Sequence, residues 1–400
     1  MNNIESPNTL PEVTADKDNK LLVIPTRYYK PELDILRLCA FLFVFFTHRL
    51  DLAPIDPARN YWAYHLSLIG VFGVPLFFFL SAFLITELLL KELEQSGKIN
   101  VKSFYIRRIL RIWPLYFAFF FGMVVITQFT DKFGHISLPV QLSFSLFSGN
   151  WYITFNDWLP SYPINPLWSI SVEEQLYILL PLIIYFTAER GLKIFSIVAF
   201  AIAYITIIYY ARNPTTGFSG EWTNSLVHFQ FFAAGILLSV YMRGWQPNWH
   251  TVIRILLFAT GVACWLIASI VCGIHADAPH LSSISQSFVG WLLILTGVIC
   301  YFLSFYGSQE KYMPKILRYL GRISYGMYVF HITMFWLVYQ IFKEQLADFS
   351  KSIGLSDWRG EVGFVIAFVA TVAISILSYS IFEKPFLRLK KKFTVIPSRD

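Results

Sequence analysis

Charge is scarce in this chain. Asp, Glu, Lys and Arg make up 14% of its 400 residues, against roughly 25% in an average soluble domain. Acidic residues are the scarcer kind, 25 against 32 Lys plus Arg, for a formal net charge of +7. Cysteine is nearly absent. The four that occur, Cys39, Cys264, Cys272 and Cys300, all fall in apolar segments. That excludes a disulfide framework and zinc-ligand spacing and leaves them as small hydrophobes. No Walker loop, dinucleotide fingerprint or Gly-x-Ser-x-Gly elbow is present. The apolar runs also lack the succession of carboxylates found in proton pumps. A signal peptide is not expected, because the first apolar run begins too far in and is too long. No internal repeat or appended soluble domain is visible.

What is abundant is apolar sequence, 56% of the chain, in runs too long and too frequent for soluble domains. The predicted fold is all-α, a polytopic membrane helix bundle. Ten spans can be drawn at about 33–52, 67–90, 112–129, 171–188, 192–210, 225–242, 252–272, 286–305, 321–342 and 362–383. Loop charge tests the count. With the N-terminus inside, the inner segments and their helix ends hold 24 Lys plus Arg and the outer ones 7. This asymmetry favours an even number of spans with both termini cytoplasmic. The basic balance is thus a membrane signature, with the lipid bilayer as partner and no nucleic acid required. The expected organisation is a flexible polar tail over 1–28, an integral membrane domain over 29–390 and a short basic tail over 391–400, in which Leu387 to Phe393 reads as a positive-inside anchor.

The most informative run is Leu33-Asp-Ile-Leu-Arg-Leu-Cys-Ala-Phe-Leu-Phe-Val-Phe-Phe-Thr-His48. Ionisable residues inside a span are expensive to keep. Eleven positions make about three helical turns, so Arg37 and His48 share a face, separated by ~16 Å along the axis. Asp34 joins that face. The stripe suits a helix lining a cavity, with a titratable imidazole in the outer half of the membrane, able to take a proton from a hydroxyl. The alternative is a histidine that only bonds a neighbouring helix, with Asp34 and Arg37 merely neutralising each other at i, i+3.

Other segments offer partners. Arg107, Arg108 and Arg111 cluster at the inner mouth of the third span. Guanidinium forks suit phosphate, though on charge alone ordinary positive-inside anchoring has the better claim, and the cluster gains interest only with the other sites. The fourth span opens with Ser171-Val-Glu173-Glu174-Gln-Leu-Tyr177, with Glu173 and Tyr177 at i, i+4. Glu173 is expected at the depth of His48, where a carboxylate orients imidazole and stabilises imidazolium. Glu174 fits simple helix capping. In the ninth span Arg322 lies at the inner mouth and His331 near mid-membrane, either as part of a site or as an interhelical bond. Gly70, Gly73, Ser81 and Ala82 read as small residues for close packing. The long aromatic segment 130–170, with Trp151, Tyr152, Trp158 and Tyr162, is expected to be an outer loop. Its rings suit an interfacial belt or stacking on sugars.

These segments, in this order, resemble the acyltransferase-3 family of integral membrane acyltransferases. The resemblance covers about residues 29–390. It rests on Leu33 to Arg37 followed by His48, Gly73 to Thr86, Phe104 to Tyr116, Leu167 to Tyr177, Gly321 to His331, and Glu383-Lys-Pro385. It implies transfer of an acyl group, usually acetyl, from cytoplasmic acetyl-CoA or another acyl-CoA to a hydroxyl of a glycan or related acceptor, with no metal. It also implies His48 as the catalytic residue, with Glu173, Arg37 and the Arg108/Arg111 pair at the site. Arg107, Arg322, Tyr177 and His331 complete the candidate donor- and substrate-binding set. The expected location is the bacterial cytoplasmic membrane. Two positions depart from the family: Pro75 stands where many members have Asp, and Ala82 where Gly is common, so no chemistry is assigned to position 75. With no esterase-like domain in this sequence, the membrane domain itself is expected to modify the acceptor. His48 can serve as general base or as an acyl-histidine relay. The competing reading is a polytopic exporter of a glycan or small anion. Dependence on acyl-CoA separates the two, since a transporter needs none, and the absence of inverted repeats counts against transport.

Overall fold

The computed structural model describes residues 13–15, 21–23, 28–49, 55, 58, 60–213, 219–275, 283–394 and 396. Most of the predicted 1–28 tail lies outside these residues. Within it, Val13–Ala15 and Leu21–Val23 pair antiparallel.

Every other regular element among the described residues is a helix. Helix α1 spans Pro31–Thr47. Proline at its start supplies a preset φ, and Glu32 and Asp34 place negative charge in its first turn. It ends five residues earlier than the predicted 33–52 span, and His48 is its C-cap. A short helix, Tyr61–Leu68, runs through a 3-10 turn into α2, Gly73–Ser96, which stops at Gly97 in the left-handed region, φ 69°. Asn100 caps α3, Val101–Phe129, by accepting from the Ser103 amide at 2.9 Å.

The segment after α3 is no plain loop. It folds into helices Leu138–Ser145 and Gly149–Asn156 and a 3-10 turn, Tyr162–Ile164. Helix α4 follows over Leu167–Arg212, kinked at Ala188, φ 50° and ψ −143°. The predicted spans 171–188 and 192–210 are therefore joined end to end without a loop. At 1.5 Å per residue a 46-residue helix would be ~69 Å long, far more than one ~30 Å crossing, so the kink divides it. Next come α5, Ser225–Tyr241, α6, Thr251–Ile270, and α7, Ile284–Phe305. A short helix, Lys315–Arg322, breaks at Ile323 into α8, Ser324–Trp336. Finally α9, Arg359–Ser378, passes through a π-turn into Lys384–Lys390.

Six helical segments among the described residues are long and apolar enough to cross a membrane: 61–96, 101–129, 162–212, 251–270, 284–305 and 356–393. Their outward faces carry exposed apolar side chains such as Phe121 and Val125 on α3, Phe186 and Ile205 on α4, Leu256 on α6 and Val369 on α9. Such faces belong against lipid, since helices satisfy their own backbone.

The bundle interior is tied to α1, which packs against α2, α8 and the Lys315–Arg322 helix. Glycine permits the approach, as expected for Gly70 and Gly73. A Cβ on Gly73 would collide with the Ala40 carbonyl, one on Gly70 with that of Phe43, and one on Gly321 with that of Asp34. At the far end of α1, Arg49 bonds Glu361 at 2.5 Å and so ties it to the start of α9. Replacing Gly73 by Val should therefore cost about 1–3 kcal/mol through overpacking, lowering the thermal midpoint in detergent. Gly122→Ala, where no atom lies within 4 Å of the added carbon, should leave it unchanged or raise it slightly. Equal effects at both sites would contradict the close α1–α2 crossing.

Candidate active site

Arg37 and its neighbours build the basic end of the bundle. The Asp34 carboxylate, buried, accepts from Arg37 Nη1 at 3.2 Å and from the Tyr29 hydroxyl at 3.2 Å. One turn on, α3 contributes Arg107, Arg108 and Arg111. Arg107 donates to Glu92 at 3.1 Å and to the Phe393 carbonyl at 2.8 Å. The latter bond docks the start of the predicted 391–400 tail onto the bundle. Arg108 stacks its guanidinium over the Tyr177 and Phe104 rings, 5.5 Å from each centroid. Lys30 pairs with Glu87 at 3.4 Å, lies over the Tyr306 ring and bonds its hydroxyl. Glu87 also accepts from the Tyr28 hydroxyl.

Three cavities adjoin from this end to the other. The first is lined by Lys30, Asp34, Arg37, Glu92, Arg107, Arg108, Arg111 and Lys390. The second shares Arg37, Leu84, Arg108 and Arg111 with it and continues past Ser81, Ser169, Glu173, Tyr177, Tyr325 and Tyr328, with Phe77 and Phe78 on its apolar side. The third shares Val74 and Tyr328 with the second and opens among His48, Trp158, Tyr162, Asn165, Trp168 and Trp222. Along the row the walls change from cationic, through a carboxylate and hydroxyls, to imidazole and aromatic rings.

The predicted residues distribute along this row, with corrections. Glu173 does not stand beside His48. It lines the second cavity, where Ser81 Oγ and the Tyr177 hydroxyl each donate to it at 2.9 Å. Ser81 is thus more than a packing residue. Helix α4 starts four residues earlier than the predicted span, which puts Glu173 a turn and a half inside the helix. Glu174 consequently caps nothing. It is buried and accepts from the Trp113 indole at 3.1 Å. The residue at His48 is His331, with ring centroids 5.1 Å apart. His331 is wholly buried against Phe41 and Phe45, and its Nδ1 lies 2.6 Å from the Tyr328 carbonyl. A carbonyl only accepts, so Nδ1 carries the proton and Nε2 presents its lone pair. Arg322 faces a separate side cavity with Arg111, Glu383 and Lys390.

Sequence reading missed Tyr328, which joins the second and third cavities and bonds Ser169 at 2.7 Å. Its signal was the i, i+3 spacing to His331. Lys390 was also missed, being read as part of an anchor. Of the aromatic segment, Trp158 and Tyr162 turn into the third cavity, while Trp151 stacks on exposed Phe155. Among the described residues no group of three His, Cys, Asp or Glu side chains could hold a metal.

A bundle of apolar helices enclosing this graded polar row is matched by a family model described as an acyltransferase domain, over residues 30–380. The chain therefore belongs to the acyltransferase-3 family, and it is a multi-pass protein of the cell membrane. It is 26% identical over 336 residues to the Bacillus subtilis protein named "Putative peptidoglycan O-acetyltransferase YrhL", covering 79% of this chain and 50% of that one. It is 24% identical over 389 residues to the "Peptidoglycan O-acetyltransferase OatA" of Listeria monocytogenes, covering 90% of this chain and 56% of that one. The chain thus spans about half the length of the curated relatives it matches. No solved structure matches it.

Tyr177→Phe or Ser81→Ala removes one of the two donors that hold Glu173. Each should cost about 1–3 kcal/mol, read as a lower thermal midpoint in detergent. Unchanged midpoints for both would mean that Glu173 is not held in this way.

Proposed function

We propose that this chain transfers an acyl group, acetyl by default, from acyl-CoA to a hydroxyl of a cell-envelope glycan. The observation that carries this reading is the row of adjoining cavities, cationic at one end and holding His48 among aromatic rings at the other. Ten membrane crossings place both termini and the basic end in the cytoplasm, consistent with the basic residues gathered there. Peptidoglycan is the first acceptor to try, because the relatives carry that word in their names.

The donor's diphosphate meets Arg108, Arg111, Arg37 and Arg107, whose forks suit phosphate oxygens. The pantetheine arm runs through the second cavity past Glu173 and Tyr177. The ~16 Å from Arg37 to His48 is comparable to that arm stretched out, so the thioester reaches the third cavity. There the acceptor hydroxyl arrives from outside, among Trp158, Tyr162 and Trp168, which offer faces to a sugar ring. His48 takes the hydroxyl proton as the oxygen attacks the thioester carbonyl. The C–O bond forms, the C–S bond breaks, and the CoA thiolate leaves and takes up a proton. Glu173, held by Ser81 and Tyr177 near three arginines, shapes the donor passage. His331 backs the His48 ring.

His48→Ala should abolish transfer while leaving CoA affinity within about twofold, since it removes the base and no phosphate contact. Full turnover by the folded variant would overturn the mechanism. Replacing Arg108 and Arg111 together by Gln should weaken CoA binding by about tenfold or more. Failure of well-folded wild-type protein to bind CoA, acetyl-CoA or succinyl-CoA would favour an exporter instead.

A further inference from the structure

Beside the donor mouth lies a fourth cavity that the acyl-transfer chemistry does not use. It shares Arg111 and Lys390 with the basic-end cavity and adds Arg322, Lys384, Arg388 and Lys391, against one carboxylate, Glu383. Ser378 Oγ donates to that carboxylate at 3.1 Å. The wall also carries Tyr319 and Tyr379, set edge to face with centroids 6.3 Å apart. Arg322 turns its Nε into the protein, where that atom is buried without a hydrogen-bond partner, while Lys384 and Arg388 stand at the exposed rim.

We infer that this side cavity holds the 3′-phosphorylated nucleoside end of coenzyme A, and so makes the protein select CoA over its 3′-dephospho form. The inference rests on the acyl-CoA reading of the neighbouring site. CoA carries phosphate in two places, a diphosphate at the foot of the pantetheine arm and a monoester on the ribose. With the arm in the row of cavities, the diphosphate sits at Arg108 and Arg111 and the nucleoside must leave the mouth sideways. Two cavities flank that mouth. One, at Glu92, Ser96, Lys98 and Asn100, offers a single cation beside a carboxylate. The other offers the cations described above. A phosphomonoester carrying nearly two charges goes to the second, where arginine forks match its oxygens. Both flanking cavities are wider than the basic-end cavity, so the slender arm takes the narrow path, the bulky nucleoside leaves it for a wide one, and charge decides which. The tyrosine faces suit adenine.

The test is binding of CoA and of 3′-dephospho-CoA to the full chain in detergent, for wild type, Lys384→Gln/Arg388→Gln and Arg322→Gln. The two rim residues are exposed, so their exchange leaves the fold alone. Wild type should prefer CoA by about tenfold or more. The double variant should lose most of that preference while binding dephospho-CoA as wild type does. Equal binding of both ligands by wild type overturns the inference and leaves the acyl-CoA reading standing. So does a preference that survives in both variants, which places the 3′-phosphate elsewhere. Absence of binding by either ligand overturns the acyl-CoA reading and this inference with it. A last arm adds phosphatidylglycerol to the micelles. If it competes with CoA in wild type but not in the double variant, and dephospho-CoA is displaced equally, the cavity is a lipid headgroup site and the nucleoside assignment is wrong.

Discussion

A cation inside a membrane-embedded bundle has no water to retreat to, and this chain gathers several of them within a few turns of one another. Each must be answered by protein groups or by a ligand. Asp34 answers Arg37, Glu92 answers Arg107, Glu87 answers Lys30, and the ring of Tyr177 supports Arg108. Asp34 and Arg37 share α1, but the other partners come from different elements, so satisfying those charges fixes how the start of α1, α2, α3 and α4 stand relative to one another. Gly73 and Gly321 then let α2 and the Lys315–Arg322 helix close on α1. Among the described residues Arg108 and Arg111 have no carboxylate within ion-pair distance, and both line the first and second cavities.

The break at Ile323 matters for the same reason. By interrupting the helix between Arg322 and Ser324, it allows two directions where a straight helix has one. Arg322 faces the side cavity, while Tyr325 and Tyr328 face the second. Tyr325 also donates to the Ile112 carbonyl at 2.8 Å, tying α8 to α3. From Tyr328 the same helix reaches His331 and the back of the His48 ring. The broken helix therefore reaches the side cavity, the second cavity and the back of the His48 ring.

Much of the fold was legible because membrane helices announce themselves through long apolar runs and flanking charge. Boundaries were less so. Helix α1 ends at Thr47, with His48 as its C-cap, a boundary that apolar content alone does not show. The continuity of α4 through Ala188 was hidden because Glu189 to Gly191 look like a loop. At the candidate site, Arg37 and His48 stood out in the sequence as ionisable residues within an apolar run, whereas Arg108 and Arg111 stood out only as a basic cluster to which the family resemblance gave a role. Glu173 was readable as a buried acid but was assigned to the wrong neighbour, because depth along one helix says nothing about rotation against another. His331 was identified without its partner. Tyr328 was overlooked although it stands one turn before His331, and Lys390 was invisible, a lysine in a basic run carrying no distinguishing pattern.

Cavities that adjoin almost end to end through a bundle invite a leak, since a cell membrane must hold its ion gradients. The wall chemistry guards against one. Arg37, Arg108 and Arg111 raise the electrostatic potential across the passage, as arginines and half-helix dipoles do in pores that exclude protons and cations. Tyr328, pinned to Ser169 and facing Val74, narrows the junction between the second and third cavities. A cationic cluster of this kind thus opposes the passage of sodium ions and protons along the row.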